Sequence, residues 1–524
     1  MPAASPEYGT PSKSAAALSG AIGVGVAIVV GELASAALNA ATSPLYAVGG
    51  EFIDRFAGSL KQIAIEIFGK NDKTALIAGT VIISLCIGAL IGLSARRRKW
   101  LPVLALSTFA VFGVWAQLAD TQVGSFEAWV TAISSVAIGV TSIYLLLHLA
   151  TPKSAANVSS PTSGAPEVAH VAMASRRRFF AVAGGFVLFA FAGAKLAGSL
   201  AGKDVVAAVK NLRLPLPIRR RPLPATQPFK VEGAEQYITP TSKFYRIDTA
   251  LRTPQVNSDS WRLKIRGLVD NPFEISYAEL LEMPSIEEVV TLSCVSNEVG
   301  GDLIGNAIWQ GVPLADLLKR AKVKAGAEQV FSRSVDGWTS GFPIEAVNDG
   351  RVAMIAYAMN GERLPVVHGF PARLVVSGLY GYVSATKWLE SIELTTWSGA
   401  NGFWVPRGWS KKGPIKLSSR IDVPRNGAQI NAGMFALGGV AWSPSIGVST
   451  VEVSIDNGPW QTAELGRVAS EHTWVQWRLQ WRATPGRHNA RVRAIDSQNN
   501  AQETQINTPA PNGATGLHQV SFSV

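Results

Sequence analysis

The segment Thr291–Asn297, TLSCVSN, closes a strand-like run that begins at Val289 and places Cys294 near its end. Only one other cysteine occurs in the 524 residues, and that residue, Cys86, lies inside an apolar, membrane-like run. We therefore expect no disulfide between the two. A lone thiol outside the membrane is liable to oxidation unless something such as a metal binds it. Taken alone, Cys294 also fits a small buried hydrophobe, a common environment of free cysteine.

The first two fifths of the chain have the composition of a membrane protein. Hydrophobic residues make up 47% of the sequence, and the mean hydropathy is +0.19. Five apolar segments are each long enough, at about 1.5 Å per helical residue, to cross a hydrocarbon core of ~30 Å. The sequence therefore predicts an all-α membrane bundle of about five spans, near residues 15–38, 74–95, 100–119, 126–149 and 179–201.

The net charge of +11 is concentrated in short basic clusters. Arg96–Lys99 and Arg176–Arg178 flank apolar spans, so we interpret them as topology signals rather than as a nucleic-acid surface. With both clusters in the cytoplasm, residues after 202 lie on the extracytoplasmic side of a multi-pass membrane protein. Residues 44–68 mix charged and apolar side chains, which predicts an amphipathic helix on the outer surface.

A second signal precedes the fifth span. Residues 151–178 form a Ser-, Ala- and Pro-rich cytoplasmic linker, and its end, Ser175–Phe180, resembles a twin-arginine export signal placed inside the chain. The alternative is an ordinary cluster of basic residues that marks the cytoplasmic end of the span. Ala194 is a possible cleavage site, but the length of the span favours a retained anchor.

The predicted spans offer little for electron or ion transport of their own. They contain one histidine, His148, and a bis-histidine haem needs two; the chain also has no Cys-x-x-Cys-His site. Any electrons must then leave through a separate partner. Charged residues in the spans are sparse, mainly Glu32. This disfavours the hypothesis that the spans form a transporter with an accessory domain.

The part beyond the fifth span divides into three predicted segments. Residues 202–234 are a Pro- and Arg-rich tether whose cluster Arg219–Arg221 we expect to be solvated. Residues 235–420 alternate short strand-like and helix-like runs, as in a mixed α+β domain. Residues 421–524 carry period-two runs such as Val448–Ile455, which predict an antiparallel β-sandwich.

Several separated motifs stand in order around Cys294. They are WRLKIRG at 261–267, WQGVPL at 309–314, NGERLPVVHGFPAR at 360–373 and GLYGY at 378–382. Together they resemble the sulfite oxidase family of molybdopterin enzymes over roughly residues 235–524. The resemblance implies an α+β molybdopterin domain at 235–420 and an immunoglobulin-like dimerisation domain at 421–524, with a homodimer formed through the latter.

The resemblance also implies a cofactor, molybdenum bound to molybdopterin, and a set of site residues. Cys294 is the expected metal ligand, because a soft thiolate suits a redox-active transition metal. Arginine recognises phosphate in a bidentate manner. The expected cofactor-binding residues are Tyr245, Arg246, Cys294, Ser334, His368, Arg373, Ala385, Thr386 and Lys387, with Asp248 and Asp336 as weaker matches.

The substrate is less determined. Sulfite oxidases place an arginine after Cys-x-x-Asn, whereas Asn297 is followed here by Glu298, a carboxylate that repels a dianion. Cys294, Arg246 and Glu298 are the expected catalytic residues. Two hypotheses remain from the sequence. One is an oxidoreductase transferring an oxygen atom, by sulfoxide or N-oxide reduction or by sulfur oxyanion oxidation. The alternative is a membrane-tethered binding or adhesion module with a vestigial cofactor site.

Overall fold

The computed structural model describes residues 10–38, 42–56, 72–119, 123–151, 167–200, 213–224 and 231–524. The chain forms two compact units. The first contains the residues up to Lys203 together with the short segment Ala250–Gln255, and the second contains the rest. Residues 152–166 of the predicted linker and residues 202–212 and 225–230 of the predicted tether lie outside the described ranges.

The described part of the first unit is helical. Five of its helices are long and apolar enough to cross a membrane, which agrees with the predicted spans. The sixth, α2, has 13 residues and covers only the start of the predicted amphipathic helix, since residues 57–68 lie outside the described ranges. The helices are α1 (Lys13–Ala37), α2 (Pro44–Phe56), α3 (Asp72–Ala95), α4 (Leu101–Leu118), α5 (Ser125–Ala150) and α6 (Glu167–Leu200).

Helices α1 and α3 approach each other through glycines. A Cβ atom added to Gly20 would lie 2.0 Å from the carbonyl oxygen of Gly88, and one added to Gly92 would lie 2.1 Å from that of Ala16. Small residues let helix backbones pack closely in membranes, where the hydrophobic effect does not hold helices together. The crossing of α1 and α3 therefore depends on these glycines.

The second unit begins with a mixed α+β part built on two sheets. A six-stranded sheet has the order β1-β4-β5-β8-β10 with β9 beside β8, and a five-stranded sheet has the order β3-β2-β11-β6-β7. The strands are β1 (Arg219–Arg220), β2 (Arg262–Gly267), β3 (Phe273–Ser276), β4 (Ile286–Ser293), β5 (Ile304–Pro313), β6 (Gln329–Ser334), β7 (Thr339–Pro343), β8 (Ala353–Met359), β9 (Glu362–Arg363), β10 (Arg373–Val376) and β11 (Leu389–Thr395). The helices are α7 (Tyr277–Glu282), α8 (Leu314–Ala321) and α9 (Gly381–Ser384).

The core of the six-stranded sheet positions the site residues. Every residue of β4 and β10 is buried. Val290, Trp309, Met354 and Val375 from four neighbouring strands pack in one cluster. The ends of buried strands therefore hold Cys294, which follows β4, and Arg373, which begins β10, on a rigid base.

The side chains of the cluster Arg219–Arg221 are 62%, 62% and 38% exposed, and the cluster also lies at a sheet edge. Arg219 and Arg220 form β1, which pairs in parallel with β4. Arg219 and Arg221 form ion pairs of 3.1 and 2.9 Å with Glu288, whose side chain is 1% exposed. The buried carboxylate and the open sheet edge explain these contacts, because both need partners and the arginine run supplies them.

The last hundred residues form two four-stranded sheets, β12-β13-β17-β16 and β15-β14-β18-β19. Their facing residues share one core that includes Leu437, Val451, Trp477, Val492 and Phe522. The alternating run that predicted a strand is β14 itself. The strands are β12 (Ser418–Val423), β13 (Gly433–Trp442), β14 (Val448–Ile455), β15 (Gln461–Thr462), β16 (Glu464–Leu465), β17 (Val475–Ala483), β18 (Arg487–Asp496) and β19 (His518–Ser523).

Candidate active site

Cys294 lies directly after β4 and is 8% exposed. Its backbone amide donates to the carbonyl of Leu303, and its carbonyl accepts from the amide of Asn297, so the loop after the strand is tied on both sides. The Asn297 side chain accepts from the Leu303 amide at 2.8 Å. The asparagine of the TLSCVSN segment therefore shapes the loop that presents the thiol.

Two tyrosines interact electrostatically with Cys294. Burial raises the pKa of the Tyr245 hydroxyl, and Cys294 raises it further, while Arg373 lowers it. Burial also raises the pKa of Tyr380 to about 12, again with a contribution from Cys294. Both phenols therefore remain protonated near neutral pH and can donate a hydrogen bond beside the thiol.

Arg373 is a buried cation that organises the loop around it. Its guanidinium donates to the carbonyl oxygens of His368 and Ala385 at 3.1 and 3.3 Å, and it lies over the Trp309 ring at 5.1 Å. Burial lowers its pKa to about 10, while Tyr245 opposes that change. The side chain is 4% exposed and stays charged at neutral pH, so the site holds a fixed, poorly solvated positive charge.

His368 ends a short 3-10 helix and is also buried. Burial, followed by Arg373 and Lys387, lowers its pKa to about 4, so the imidazole is neutral at pH 7. Nε2 lies 3.2 Å from the carbonyl oxygen of Thr241, which only accepts, so Nε2 carries the proton. Nδ1 is then a buried acceptor, and it has no hydrogen-bond partner among the described residues.

A second cationic group is built around a carboxylate. Asp248 Oδ2 accepts from Lys387 Nζ at 3.1 Å and from Arg246 Nε at 3.0 Å, and the Asp248 side chain is 5% exposed. Burial lowers the pKa of Lys387 to about 8, although Asp248 raises it. Two cations on one buried carboxylate leave a net positive charge beside His368, as a phosphate pocket requires.

Hydroxyl groups line the neighbouring part of the five-stranded sheet. Thr386 Oγ1 lies 2.7 Å from Ser332 Oγ and 2.8 Å from Ser340 Oγ, all three being buried. Ser334, two residues along β6 from Ser332, is 1% exposed, and its Oγ has no hydrogen-bond partner in the described ranges. An unsatisfied buried hydroxyl costs free energy unless a ligand supplies the partner.

These observations test whether the residues suit molybdopterin. The polar atoms His368 Nδ1 and Ser334 Oγ are buried without partners in the described structure, and three cations lie in the same neighbourhood. The ring donors and acceptors of a pterin can pair with the two unpartnered polar atoms, and its anionic phosphate can pair with the cations. The donor set therefore fits the cofactor.

Most of the residues predicted from the sequence meet in this one region. Arg373 contacts the backbone of His368 and Ala385, and Lys387 and Arg246 share Asp248. Glu298 is exposed in the turn after Cys294, and Asp336 accepts from the Trp338 amide in the β6–β7 turn.

Sequence reasoning missed several contacts. The hydroxyl pair Ser332 and Ser340 was not singled out, although the two residues lie opposite each other in the β6–β7 hairpin. Their symmetric placement about the turn at Asp336 was the available signal. After β11, Trp404 and Trp409 contact each other at 6.4 Å between ring centroids, and Tyr382 packs on Trp409 at 5.9 Å.

Comparison with known proteins places this region in a described family. Residues 250–404 match the family described as oxidoreductase molybdopterin binding domain. The uncharacterized oxidoreductase YuiH of Bacillus subtilis is 36% identical over 153 residues, which cover 29% of this chain and 74% of that protein. The sulfite oxidase of Arabidopsis thaliana is 29% identical over 308 residues, covering 48% of this chain and 78% of the relative.

Two further matches extend the comparison. The mitochondrial sulfite oxidase of Homo sapiens is 28% identical, and the alignment covers 53% of this chain and 61% of the human protein. Among solved structures, the sulfane dehydrogenase SoxCD of Paracoccus pantotrophus aligns over 55% of this chain and 84% of its own, with 24% identity and a TM-score of 0.48. The chain belongs to the sulfite oxidase family of molybdenum-dependent oxidoreductases, and molybdopterin is its cofactor.

Proposed function

We propose that this chain is a membrane-anchored enzyme that transfers an oxygen atom to or from a small substrate, with its second unit on the extracytoplasmic side. The five apolar helices support the anchoring. The arginine-rich segments before α4 and at the start of the apolar part of α6 support the orientation, because basic residues are enriched on the cytoplasmic side.

The thiolate of Cys294 is the proposed protein ligand of the metal. When bound, the cofactor supplies the two-electron redox chemistry, and the chain contributes position and charge. Tyr245, with its hydroxyl kept protonated, donates a hydrogen bond near the metal ligand. The buried charge of Arg373 stabilises negative charge that develops beside the thiolate.

The cofactor is proposed to lie across the two other groups of the site. His368 Nδ1 accepts a hydrogen bond from a pterin donor, and Ser334 Oγ supplies a second contact. Lys387 and Arg246 bind the phosphate, and Asp248 holds both cations in place. The Ala385 carbonyl, which accepts from Arg373, and the Thr386 hydroxyl, which is bonded to Ser332 and Ser340, border the same cofactor site.

The charge near the metal ligand favours a neutral substrate. Glu298, exposed four residues after Cys294, stands where sulfite oxidases place an arginine. A carboxylate opposes the approach of a dianion such as sulfite and permits that of a sulfoxide or N-oxide. Replacement Glu298→Gln removes this repulsion. We expect it to raise any sulfite oxidation while leaving KM for a neutral sulfoxide within about twofold; equal sulfite activity in both proteins would contradict the role of Glu298.

The observation that carries the proposal is the buried thiol of Cys294 in the same electrostatic neighbourhood as Tyr245 and Arg373. The direct test compares Cys294→Ser with Cys86→Ser, since Cys86 is exposed on α3 and serves as the matched control. The full chain is purified from a host that makes the cofactor and has twin-arginine export. We expect near one molybdenum per chain in the wild type and in Cys86→Ser, and loss of redox activity in Cys294→Ser.

The same measurement separates the enzyme from a binding module. A folded wild-type protein without metal and pterin in that host would refute the site assignment. An unchanged redox activity in Cys294→Ser, at full metal content, would remove Cys294 as the ligand.

Export and assembly complete the proposal. The run Ser175–Phe180 acts as the twin-arginine signal for the folded second unit, and the span is retained. The double variant Arg177→Lys, Arg178→Lys is expected to leave that unit in the cytoplasm, where a labelling reagent can reach it.

The two C-terminal sheets are proposed to be an immunoglobulin-like domain that pairs two chains. Light scattering of the purified protein tests this, and a monomer mass would contradict it.

A further inference from the structure

The first unit contains a cavity of about 220 Å³ inside its helix bundle. Residues of all five helices from α1 to α5 line it, including Val24, Pro44, Ile87 and Leu106. Protein interiors are normally packed to the density of organic crystals, with few voids larger than a water molecule. A void of roughly 150 Å³ in an apolar core is enough to bind benzene. This cavity therefore has room for one six-membered ring with small substituents.

The cavity reaches the surface of the bundle. Phe109 and Phe112 on α4 both line it, and their side chains are 52% and 45% exposed on the outside of the unit. In a membrane that outside face is in contact with lipid. A ligand whose ring occupies the cavity can therefore extend an apolar tail between these phenylalanines into the bilayer.

Three hydroxyl groups are the polar part of the lining: Thr80, Ser84 and Ser135. Each hydroxyl donates its proton to a carbonyl oxygen of its own helix, at 2.9, 2.8 and 2.7 Å respectively. A hydroxyl whose proton is used in this way still has lone pairs that accept. The cavity thus offers hydrogen-bond acceptors to a ligand, which favours a ring that carries O–H donors.

A carboxyl group lies next to the lining. Glu32 follows Gly31, a lining residue, and its carboxyl accepts a hydrogen bond from Ser43, which precedes the lining residue Pro44. A carboxyl group in a span is costly and usually has a functional role. Here it is bonded to Ser43, one residue along the chain from the lining on both helices.

We propose that this cavity binds a reduced isoprenoid quinone, a quinol, with the hydroxylated ring inside the bundle and the isoprenoid tail in the bilayer. The volume of the cavity fits a single ring, and its open side between Phe109 and Phe112 leaves room for an apolar tail. The three hydroxyl acceptors favour the reduced form, because only the quinol carries O–H donors. A phospholipid fits less well, because its acyl chains carry no donors and its headgroup is too polar for this lining.

The choice of a quinol rests on the proposed oxygen-atom transfer, which needs a two-electron partner. The exchange balances for a sulfoxide substrate. The quinol is oxidised to the quinone and releases two protons and two electrons, and the separate electron-transfer partner carries the electrons to the second unit. There the sulfoxide takes up two electrons and two protons, and its oxygen leaves as water while the sulfide forms.

Binding of decylubiquinol and of decylubiquinone to the full chain in detergent, without oxygen, tests the proposal by calorimetric titration. The variant Ala110→Phe fills the cavity, because Ala110 lines it. The matched control is Val111→Phe on the same helix, since Val111 is 57% exposed and is not part of the lining. Ser84→Ala and Ser135→Ala are milder variants that retain the packing if Ala110→Phe fails to fold.

We expect the wild type and Val111→Phe to bind the quinol at least tenfold more tightly than the quinone. Ala110→Phe is expected to weaken quinol binding at least tenfold, and each serine variant to reduce the preference for the quinol. Equal binding of the two redox forms, binding that Ala110→Phe leaves unchanged, or displacement of a co-purified phospholipid without quinol binding would each overturn the proposal.

Molybdenum content and reduction of substrate by a soluble viologen dye are measured on the wild-type preparation. Failure of both refutes the proposed function. Success of both, with no quinol binding, refutes the quinol site alone.

Discussion

Replacement of Arg373 by methionine separates the role of this residue in the fold from its role in cofactor binding. Burial lowers its pKa from 12.5 to about 10, which corresponds to a penalty of about 3 kcal/mol on the charged form. Methionine removes that penalty. It also leaves the carbonyl oxygens of His368 and Ala385 without a donor, at a cost of roughly 1–3 kcal/mol each.

The two effects partly cancel in the cofactor-free protein, so we expect a net change between about 1 kcal/mol of added stability and about 3 kcal/mol of lost stability. They do not cancel in cofactor binding. Loss of a charge-assisted hydrogen bond costs roughly 1.5–3 kcal/mol, which is about 10- to 150-fold in affinity. Arg373→Lys is expected to be intermediate, because lysine keeps the charge but lacks the planar fork that reaches both carbonyls.

The assay is molybdenum per purified chain together with the thermal midpoint of each variant. Arg493→Met is the matched control: Arg493 lies in β18, is paired with Glu452 at 2.7 Å, and belongs to neither group of the site. We expect full metal in the control and strongly reduced metal in Arg373→Met at a similar midpoint. Wild-type metal content in both Arg373 variants would refute the assignment of Arg373 to the cofactor.

Three further predictions concern buried charges. In the cofactor-free protein Lys387 has a pKa of about 8, so as the pH rises the folded chain loses this proton before the unfolded chain does. The stability of the wild type relative to Lys387→Met should therefore rise between about pH 8 and 10. A difference in thermal midpoint that stays constant over this range would contradict the prediction. His368 has a pKa of about 4, below its unfolded value of 6.5, so stability relative to His368→Gln should be full above pH 6.5 and fall by about 3 kcal/mol as the pH drops to 4, measured by urea unfolding. Glu288→Gln should release Arg219 and Arg221 from the sheet edge and make the chain near them more sensitive to trypsin, with cleavage at the wild-type rate as the contrary result.

Much of the architecture was predictable because it depends on local properties of the chain. Span length and hydropathy located the apolar helices, and alternation of period two located β14. The motifs around Cys294 led to the family, and the comparisons confirm the family, the cofactor and the enzyme class over a binding module. The site residues, the homodimer and the export route stay predictions.

Other features depend on partners that are distant in sequence. Asp248 was the weakest of the expected matches, yet it joins Lys387, 139 residues away, to Arg246. The ion pairs of the tether arginines were not predicted, because nothing nearby in sequence pairs with them and Glu288 lies 67 residues beyond Arg221. Pattern rules do not detect such pairs, since they register only neighbours along a helix or a strand.

The sequence by itself determined which segments are apolar helices and strands, where the single thiol outside the spans lies, and which family the chain resembles, because these follow from short-range periodicity, composition and local motifs. Only the tertiary structure decided which nitrogen of His368 carries the proton, which hydroxyl of the site is left without a described partner, and how strongly Arg373 and Lys387 are desolvated. Those properties come from burial and from contacts between distant strands, and both exist only once the sheets have packed.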